Sequence, residues 1–110
     1  MGKIQSVPGV FGGEDFCDET GKKIGYSVPG FFGGRDFYDA DGKPAGYSVK
    51  SILSGEDFHD ESGTLKGYST EGIFGGYDYF DVSGKPVGWS ADSLFGGEDI
   101  SIDEEWRPIT

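Results

Sequence analysis

The sequence has very little from which a metal centre, a disulfide framework or a nucleophilic active site is normally built. It contains one cysteine, Cys17, and one histidine, His59. A single thiol forms no internal disulfide, which excludes a small secreted scaffold held together by disulfides. One histidine and one cysteine also give neither a zinc-ligand spacing nor a Cys–His catalytic pair. We therefore expect no metal, no cofactor and no enzymatic activity.

Basic residues and long apolar runs are also scarce. The chain has 9 Lys and Arg against 20 Asp and Glu, which gives a formal net charge of −11. Such a charge repels nucleic-acid phosphate and anionic lipid, so neither nucleic acid nor a membrane is an expected partner. No run of about 18 apolar residues occurs, and the N-terminal MGKIQSVPGV lacks the apolar stretch of a secretion signal. We expect a cytoplasmic protein.

A helical pattern is missing as well, because glycine interrupts every window of about ten residues. Instead, a glycine pair recurs every 21 residues from Gly12-Gly13 onwards, with Ser54-Gly55 in its third position. Cut before the serines that share this spacing, the single domain 1–110 becomes five units: 6–26, 27–47, 48–68, 69–89 and 90–110. Short segments rich in aromatic residues between the glycines predict an all-β fold.

Each unit is predicted to be a β-hairpin. In the second unit, Asp39 opens a type I turn and Gly42 takes a positive φ, which glycine adopts without a Cβ penalty. The register that follows from this turn places Phe37 and Tyr47 on one face, the expected core. The other face carries the variable residues of each unit, and its candidate ligand-binding side chains are Tyr38, His59 and Phe80.

An isolated two-stranded hairpin is only marginally stable in water, so the units must bury their aromatic faces against one another. We expect an open, twisted, solenoid-like stack of five 21-residue hairpins, with apolar pairs such as Val10-Phe11 tucked under the next hairpin. The last unit ends in ISIDEEWRPIT, without the glycines of the others, as a cap would. The N-terminal MGKIQ is expected to pair as a partial strand. An exposed terminal hairpin would also allow a homo-oligomer.

Two rows of aspartates raise the question of a metal. At the turns, Asp39-Ala-Asp41-Gly42 has the beginning of a calcium loop, but other units lack the second carboxylate and none has the distal Glu, so we interpret it as a turn. The second row follows the glycine pairs: Asp15, Asp36, Asp57, Asp78 and Asp99. In the predicted register each faces a glycine, where its carboxylate is expected to accept backbone N–H bonds. Cation binding along this row is the alternative.

The segments Phe37-Tyr38, Asp41-Gly42 and Gly46-Tyr47 resemble the choline-binding repeats of bacterial cell-wall proteins. That resemblance implies hairpins stacked into a solenoid and a cation held by aromatic rings. The corresponding positions here hold three tyrosines and one tryptophan: Tyr26, Tyr47, Tyr68 and Trp89. The whole chain more closely resembles uncharacterised glycine- and aromatic-rich short-repeat proteins of Firmicutes, which implies a shape and no activity.

Two classes of function stay open. As an interaction module, the protein would present Tyr38, His59 and Phe80 to a protein or a glycan. Aromatic rings on an acidic scaffold would also hold a cationic group by cation–π attraction. The alternative is a structural or spacer protein without a ligand.

Overall fold

The computed structural model describes residues 2–9, 12–30, 33–52, 55–72, 75–92 and 97–103. These residues form strands and turns, with no helix among them, which confirms the predicted all-β class. The ten strands are β1 Gly2–Pro8, β2 Glu14–Cys17, β3 Lys23–Pro29, β4 Arg35–Asp39, β5 Pro44–Lys50, β6 Glu56–Asp60, β7 Leu65–Glu71, β8 Tyr77–Asp81, β9 Pro86–Asp92 and β10 Glu98–Ile102.

The ten strands close into an antiparallel barrel, so the expected open, solenoid-like stack is wrong. Consecutive strands pair along the chain, and β1 pairs with both β2 and β10. The N-terminal strand predicted as partial therefore supplies the second strand of the fifth repeat by pairing with β10, and it runs over 7 residues. Because β1 and β10 satisfy each other's backbone hydrogen bonds, the barrel has no free strand edge at this pair, and the cap assigned to 90–110 stays a prediction. Residues 104–110 of that cap lie outside the described part of the chain.

The predicted turn is confirmed. Gly42 has a φ of +85° and its N–H donates to the Asp39 carbonyl over 3.1 Å. The Asp39 N–H in turn donates to the Lys43 carbonyl over 2.9 Å. Turn glycines with positive φ occur at the same place in three further hairpins: Gly21, Gly63 and Gly84.

A β-bulge next to each of these turns changes the predicted register. Tyr38 pairs with Pro44 as expected, but Phe37 pairs with Gly46 instead of with the preceding residue. Since side chains alternate between faces, this one-residue shift turns Tyr47 to the outside, while Phe37 stays inside with 2% exposure. The assignment of Phe37 to the core is confirmed, and that of Tyr47 is wrong. The same shift occurs in the hairpins β2–β3, β6–β7 and β8–β9.

A ring of large apolar side chains fills the barrel. Its aromatic members occupy equivalent positions in four hairpins: Phe16, Phe37, Phe58 and Tyr79. Neighbouring rings lie 6.0–6.2 Å apart between centroids, and each aromatic residue pairs with a glycine on the following strand. In the closing pair, Ile4 stands opposite Ile100. Two medium-sized side chains there replace the combination of one large ring and one glycine.

Beside this ring, towards the end of the barrel that carries the glycine pairs, lies a row of buried serines: Ser6, Ser27, Ser48, Ser69 and Ser90. Each hydroxyl oxygen accepts a backbone N–H from the first residue of the adjacent short strand, as Ser48 does from Arg35 over 3.0 Å. Ser6 makes the same bond to the N–H of Glu98 over 2.8 Å and so joins β1 to β10.

The second glycine of each pair contacts the backbone of one of these serines. A Cβ added to Gly34 would lie 1.9 Å from the Ser48 carbonyl oxygen, and one added to Gly97 would lie 1.8 Å from that of Ser6. Both distances are far below van der Waals contact, so only glycine fits. This explains why the third unit, with Ser54-Gly55, retains the second glycine. The apolar pairs before the glycines lie outside the described residues, except for Ile52, which is fully exposed.

Closure of the barrel predicts the effect of substituting Gly97. We expect Gly97→Ala to lower the free energy of unfolding by about 3 kcal/mol or more, since the new methyl group meets the Ser6 backbone across the β1–β10 pair. Gly21→Ala is the control, because a Cβ there meets nothing within 4 Å and only the positive φ is strained, at about 1–2 kcal/mol. Urea unfolding measures both. A Gly97→Ala variant as stable as the wild type would show that β1 and β10 do not meet.

The bulged register makes a second prediction. Phe37→Ala is expected to cost about 3–5 kcal/mol, because it leaves a cavity in the core. Tyr47→Ala removes a ring from the outer surface and should cost about 1 kcal/mol. Equal losses in thermal or urea unfolding would mean that both rings are buried and that the bulge is absent.

Candidate functional site

The three residues predicted to bind a ligand lie on the outer face of the barrel. Each stacks on a tyrosine of the preceding long strand. Tyr38 lies over Tyr26 with centroids 5.1 Å apart, and His59 lies over Tyr47 at 4.9 Å with an interplanar angle of 6°. The third pair, Tyr68 and Phe80, is stacked at 5.2 Å. With Trp89, these six rings form the outer aromatic band.

The band is rigid and partly exposed. The six stacked side chains are all partly buried, and Trp89 is 50% exposed because its cross-strand neighbour is Ser101 and not a ring. Each tyrosine also reaches the turn of the next hairpin: a Cβ at Gly63 would lie 3.5 Å from the Tyr47 hydroxyl. The Nδ1 atom of His59 is buried and has no hydrogen-bond partner among the described residues. The rings are thus held in one arrangement by their neighbours.

The aspartates that follow the glycine pairs lie on this same outer face. The expectation that they face glycines is wrong, because the bulge places an aromatic residue opposite four of them, and Asp99 stands opposite Ala91. The pairs are Asp15–Tyr26, Asp36–Tyr47, Asp57–Tyr68 and Asp78–Trp89, which we call the Asp–aromatic seats. Within the described part of the chain, no backbone N–H donates to these carboxylates. Each seat therefore combines a carboxylate with the edge or face of an aromatic ring.

The first seat is occupied by a cation of the chain itself. The Lys23 ammonium lies 3.4 Å from the Asp15 carboxylate oxygen and 4.9 Å from the centroid of the Tyr26 ring. The lysine side chain is 50% exposed and that of Asp15 is 34% exposed. An ammonium therefore fits between the two groups of a seat at the barrel surface, where it gains both ion-pair and cation–π attraction.

A second cluster closes the end of the barrel that carries the glycine pairs. It consists of the first residue of each short strand: Glu14, Arg35, Glu56, Tyr77 and Glu98, which we call the mouth cluster. Arg35 donates from Nη1 to Glu14 over 2.8 Å, and from Nη2 and Nε to Glu56 over 2.8 and 3.1 Å. Its guanidinium also lies 5.1 Å from the centroid of the Phe37 ring. The Arg35 side chain thus covers the apolar core at this end of the barrel.

Burial shifts the pKa values of the mouth cluster. Desolvation, followed by the charge of Glu14, raises the pKa of Glu98 above its ordinary value. Desolvation and the charge of Glu98 likewise raise the pKa of Tyr77. Desolvation acts to lower the pKa of Arg35, but the charge and hydrogen bonds of Glu56 outweigh it and raise that pKa. Arg35 therefore stays charged, and Glu98 takes up a proton more readily than an ordinary glutamate does.

The space at the mouth divides into a recess and a small interior cavity. The recess has a volume of about 450 Å³ and includes Lys50 and Glu71 at its rim. Below Arg35, the cavity among the core rings measures only about 30 Å³, which is room for one or two water molecules. The interior cannot hold an organic ligand.

The mouth cluster was not predicted from the sequence. The feature of the sequence that could have revealed the cluster is the 21-residue period, because it places one variable side chain directly after every glycine pair. The variable composition of that position hides its role, and only a closed barrel brings positions 14, 56 and 98 around Arg35.

The turn aspartates are engaged by the turns themselves. Asp39 Oδ1 accepts the N–H groups of Asp41 and Lys43, each over 2.9 Å. In three other turns a hydroxyl joins, as Ser62 does at Asp60 over 2.6 Å. The side-chain bond from the hydroxyl is the main cause that lowers the pKa of these aspartates: Asp18, Asp60 and Asp81. Among the described residues no group of three or more His, Cys, Asp or Glu is placed to hold a metal. Nor does any helix in that part of the chain have the length and apolarity to cross a membrane.

These shifts predict how stability depends on pH. The folded-state pKa of Glu98 lies above its ordinary 4.5, so the folded state binds the proton more tightly and stability falls as pH rises through that interval. The turn aspartates act oppositely: their contribution is present above pH 3.8 and is lost as pH falls below it. In Glu98→Gln, the free energy of unfolding should therefore fall less steeply as pH rises above about 4.5. Its decrease below pH 3.8, which comes from the turn aspartates, should remain.

Urea unfolding between acid and neutral pH measures this effect. Glu19→Gln, which removes an exposed carboxylate in a turn, is the charge-matched control and should keep the wild-type slope. An unchanged slope in Glu98→Gln would contradict the assignment.

Comparison with known proteins assigns the chain to no family. No protein-family model, no curated protein and no solved structure is similar enough to count as a match. The resemblance to short-repeat proteins of Firmicutes and to choline-binding repeats stays a prediction.

Proposed function

We propose that the protein is a non-enzymatic binding module whose outer aromatic band takes a protein or glycan partner. The observation that carries this proposal is the set of three stacked ring pairs on the outer face, with Trp89 half exposed beside them. Tyrosine and tryptophan are the side chains that contribute most to binding at protein interfaces, because they bring a large apolar surface with few rotatable bonds.

Stacking supports binding by preorganisation. The ring of His59 is already fixed against Tyr47, nearly parallel to it. A partner that contacts such a ring orders no further side chain, so less of the contact energy is lost to conformational entropy. The band is thus better suited to recognition than isolated surface aromatics would be.

Some of the exposed apolar side chains belong to the same hairpins as the band. Leu65 is 46% exposed and Val82 is 61% exposed, and both lie in the part of the barrel that runs from β7 to the turn before β9. Leu65 is the cross-strand neighbour of His59. An exposed apolar residue beside a stacked ring, such as Leu65 beside His59, adds to the apolar surface that a partner could cover.

The mouth and the interior of the barrel are less suited to a ligand. The carboxylates of Glu14 and Glu56 at the mouth are bound to Arg35, which leaves them poorly placed for acid–base catalysis. The interior cavity of about 30 Å³ excludes organic ligands. Both points favour recognition at the outer face over chemistry inside the barrel. A spacer protein without a ligand, or a binder of small cations, is the competing interpretation.

The test is a screen of glycans and peptides with the wild type and a triple variant, Tyr38→Ala, His59→Ala and Phe80→Ala. Any partner that binds the wild type should bind the triple variant at least about tenfold more weakly, because three contact rings are lost. The double variant Cys17→Ala and Ser101→Ala is the matched control, since these residues hold the equivalent outer positions without aromatic rings. Thermal unfolding checks that all three proteins are folded.

Two results would count against the proposal. If nothing in the screen binds the wild type, the spacer interpretation is favoured. If the triple variant binds as tightly as the wild type, the outer aromatic band is not the binding surface.

A further inference from the structure

We propose that the Asp–aromatic seats of the later hairpins bind lysine or arginine side chains, and that the partner of this module is a cationic segment of a protein. The inference rests on the proposed function and narrows it from any protein or glycan to one chemistry. It concerns three seats: Asp36–Tyr47, Asp57–Tyr68 and Asp78–Trp89.

The first hairpin shows what a seat accepts. There the Lys23 ammonium pairs with Asp15 at 3.4 Å and lies 4.9 Å from the Tyr26 ring centroid. A carboxylate supplies the charge and the ring supplies a negative quadrupole face, and both favour a cation with an alkyl stem. The occupant of this seat comes from the chain itself.

The later seats repeat the carboxylate and the ring but not the cation. Asp36 pairs with Tyr47, as Asp15 does with Tyr26, in the same register next to the same bulge. At the position of Lys23 the following units have Pro44, Leu65 and Pro86, none of which is charged. Within the described residues, Asp36 and Asp78 make no ion pair. A cation for the seats of Asp36 and Asp78 therefore has to come from another molecule.

Trp89 makes the fourth seat the most accessible. Its ring is 50% exposed, and the opposing Asp78 is exposed as well. Tryptophan gives the strongest cation–π attraction of the aromatic side chains. This seat is therefore expected to contribute most to the binding of a lysine or arginine.

The charge of the whole protein favours the same partner. A net charge of −11 attracts cationic segments over long range and speeds their association. An inorganic cation is a poorer occupant, because one carboxylate supplies far fewer than the six to eight oxygens that calcium needs. A glycan would also use rings and carboxylates, but it would gain nothing from the net charge.

The spacing of the seats suggests a probe. Equivalent seats are two strands apart, which is about 9.6 Å around the sheet. In a polyproline II segment, every third residue faces the same side and lies about 9.3 Å from the last. A short fluorescent peptide with lysine at every third position can therefore reach successive seats, and its fully acetylated form has the same length without the charges.

Fluorescence anisotropy measures binding of both peptides to the full chain. The lysine peptide should bind the wild type, and lysine acetylation should weaken binding by about tenfold or more. The variant Asp36→Asn with Asp78→Asn, and the variant Tyr47→Leu with Trp89→Leu, should each bind the lysine peptide about tenfold more weakly. Glu19→Gln with Glu61→Gln removes two exposed turn carboxylates outside the seats. This control should stay within about twofold of the wild type.

The outcomes separate this inference from the proposed function. If the control variant weakens binding as much as the Asp36 and Asp78 variant does, the peptide is attracted by the overall negative charge. The proposal that the seats bind it is then wrong. If the lysine peptide fails to bind while a glycan or neutral peptide binds through Tyr38, His59 and Phe80, the seats are wrong and the binding module stands. If the outer aromatic band binds none of them, both proposals fail. Unfolding midpoints near that of the wild type show that each variant is folded.

Discussion

The contact between a corner glycine and the backbone of a buried serine is the constraint on which the rest of the barrel depends. It occurs five times, with a glycine Cβ that would lie 1.8–2.2 Å from the serine carbonyl oxygen. The serine hydroxyl then accepts a backbone N–H from the strand that follows the glycine. Gly97 and Ser6 make this contact between the two ends of the chain. The same interaction that links each repeat to the next therefore also closes the barrel.

Closure determines where function can lie. A small barrel with a ring of Phe and Tyr inside and Arg35 across its mouth has no interior space for a ligand. The proposed recognition therefore uses the outer face, where the tyrosines of the long strands lie beside the variable residues of the short ones. The same bulges bring an aspartate opposite each of these outer rings. One backbone irregularity thus produces both the stacked pairs and the Asp–aromatic seats.

The sequence predicted the local features of this structure well. The turn at Asp39–Gly42 and the burial of Phe37 follow from turn chemistry and alternation, both of which act within a few residues. The outward position of Tyr38, His59 and Phe80 followed from the same alternation. Tyr47 was misplaced because a bulge inserts one residue without any change in composition, and every later residue on the strand then changes face. The role of Arg35 could not be predicted for a different reason. Its partners lie 21 residues away on either side, in other hairpins.

By itself, the sequence determined the period of 21 residues and the hairpin turns with their glycines at positive φ, because these depend on backbone geometry that neighbouring residues set. Only the tertiary structure decided that β1 pairs with β10 to complete the fifth repeat, that the mouth cluster surrounds Arg35 and that the tyrosines of the long strands face outwards. Whether five hairpins form an open stack or a closed barrel depends on the tilt and stagger of all ten strands together. That geometry accumulates around the sheet and is not encoded in any single repeat.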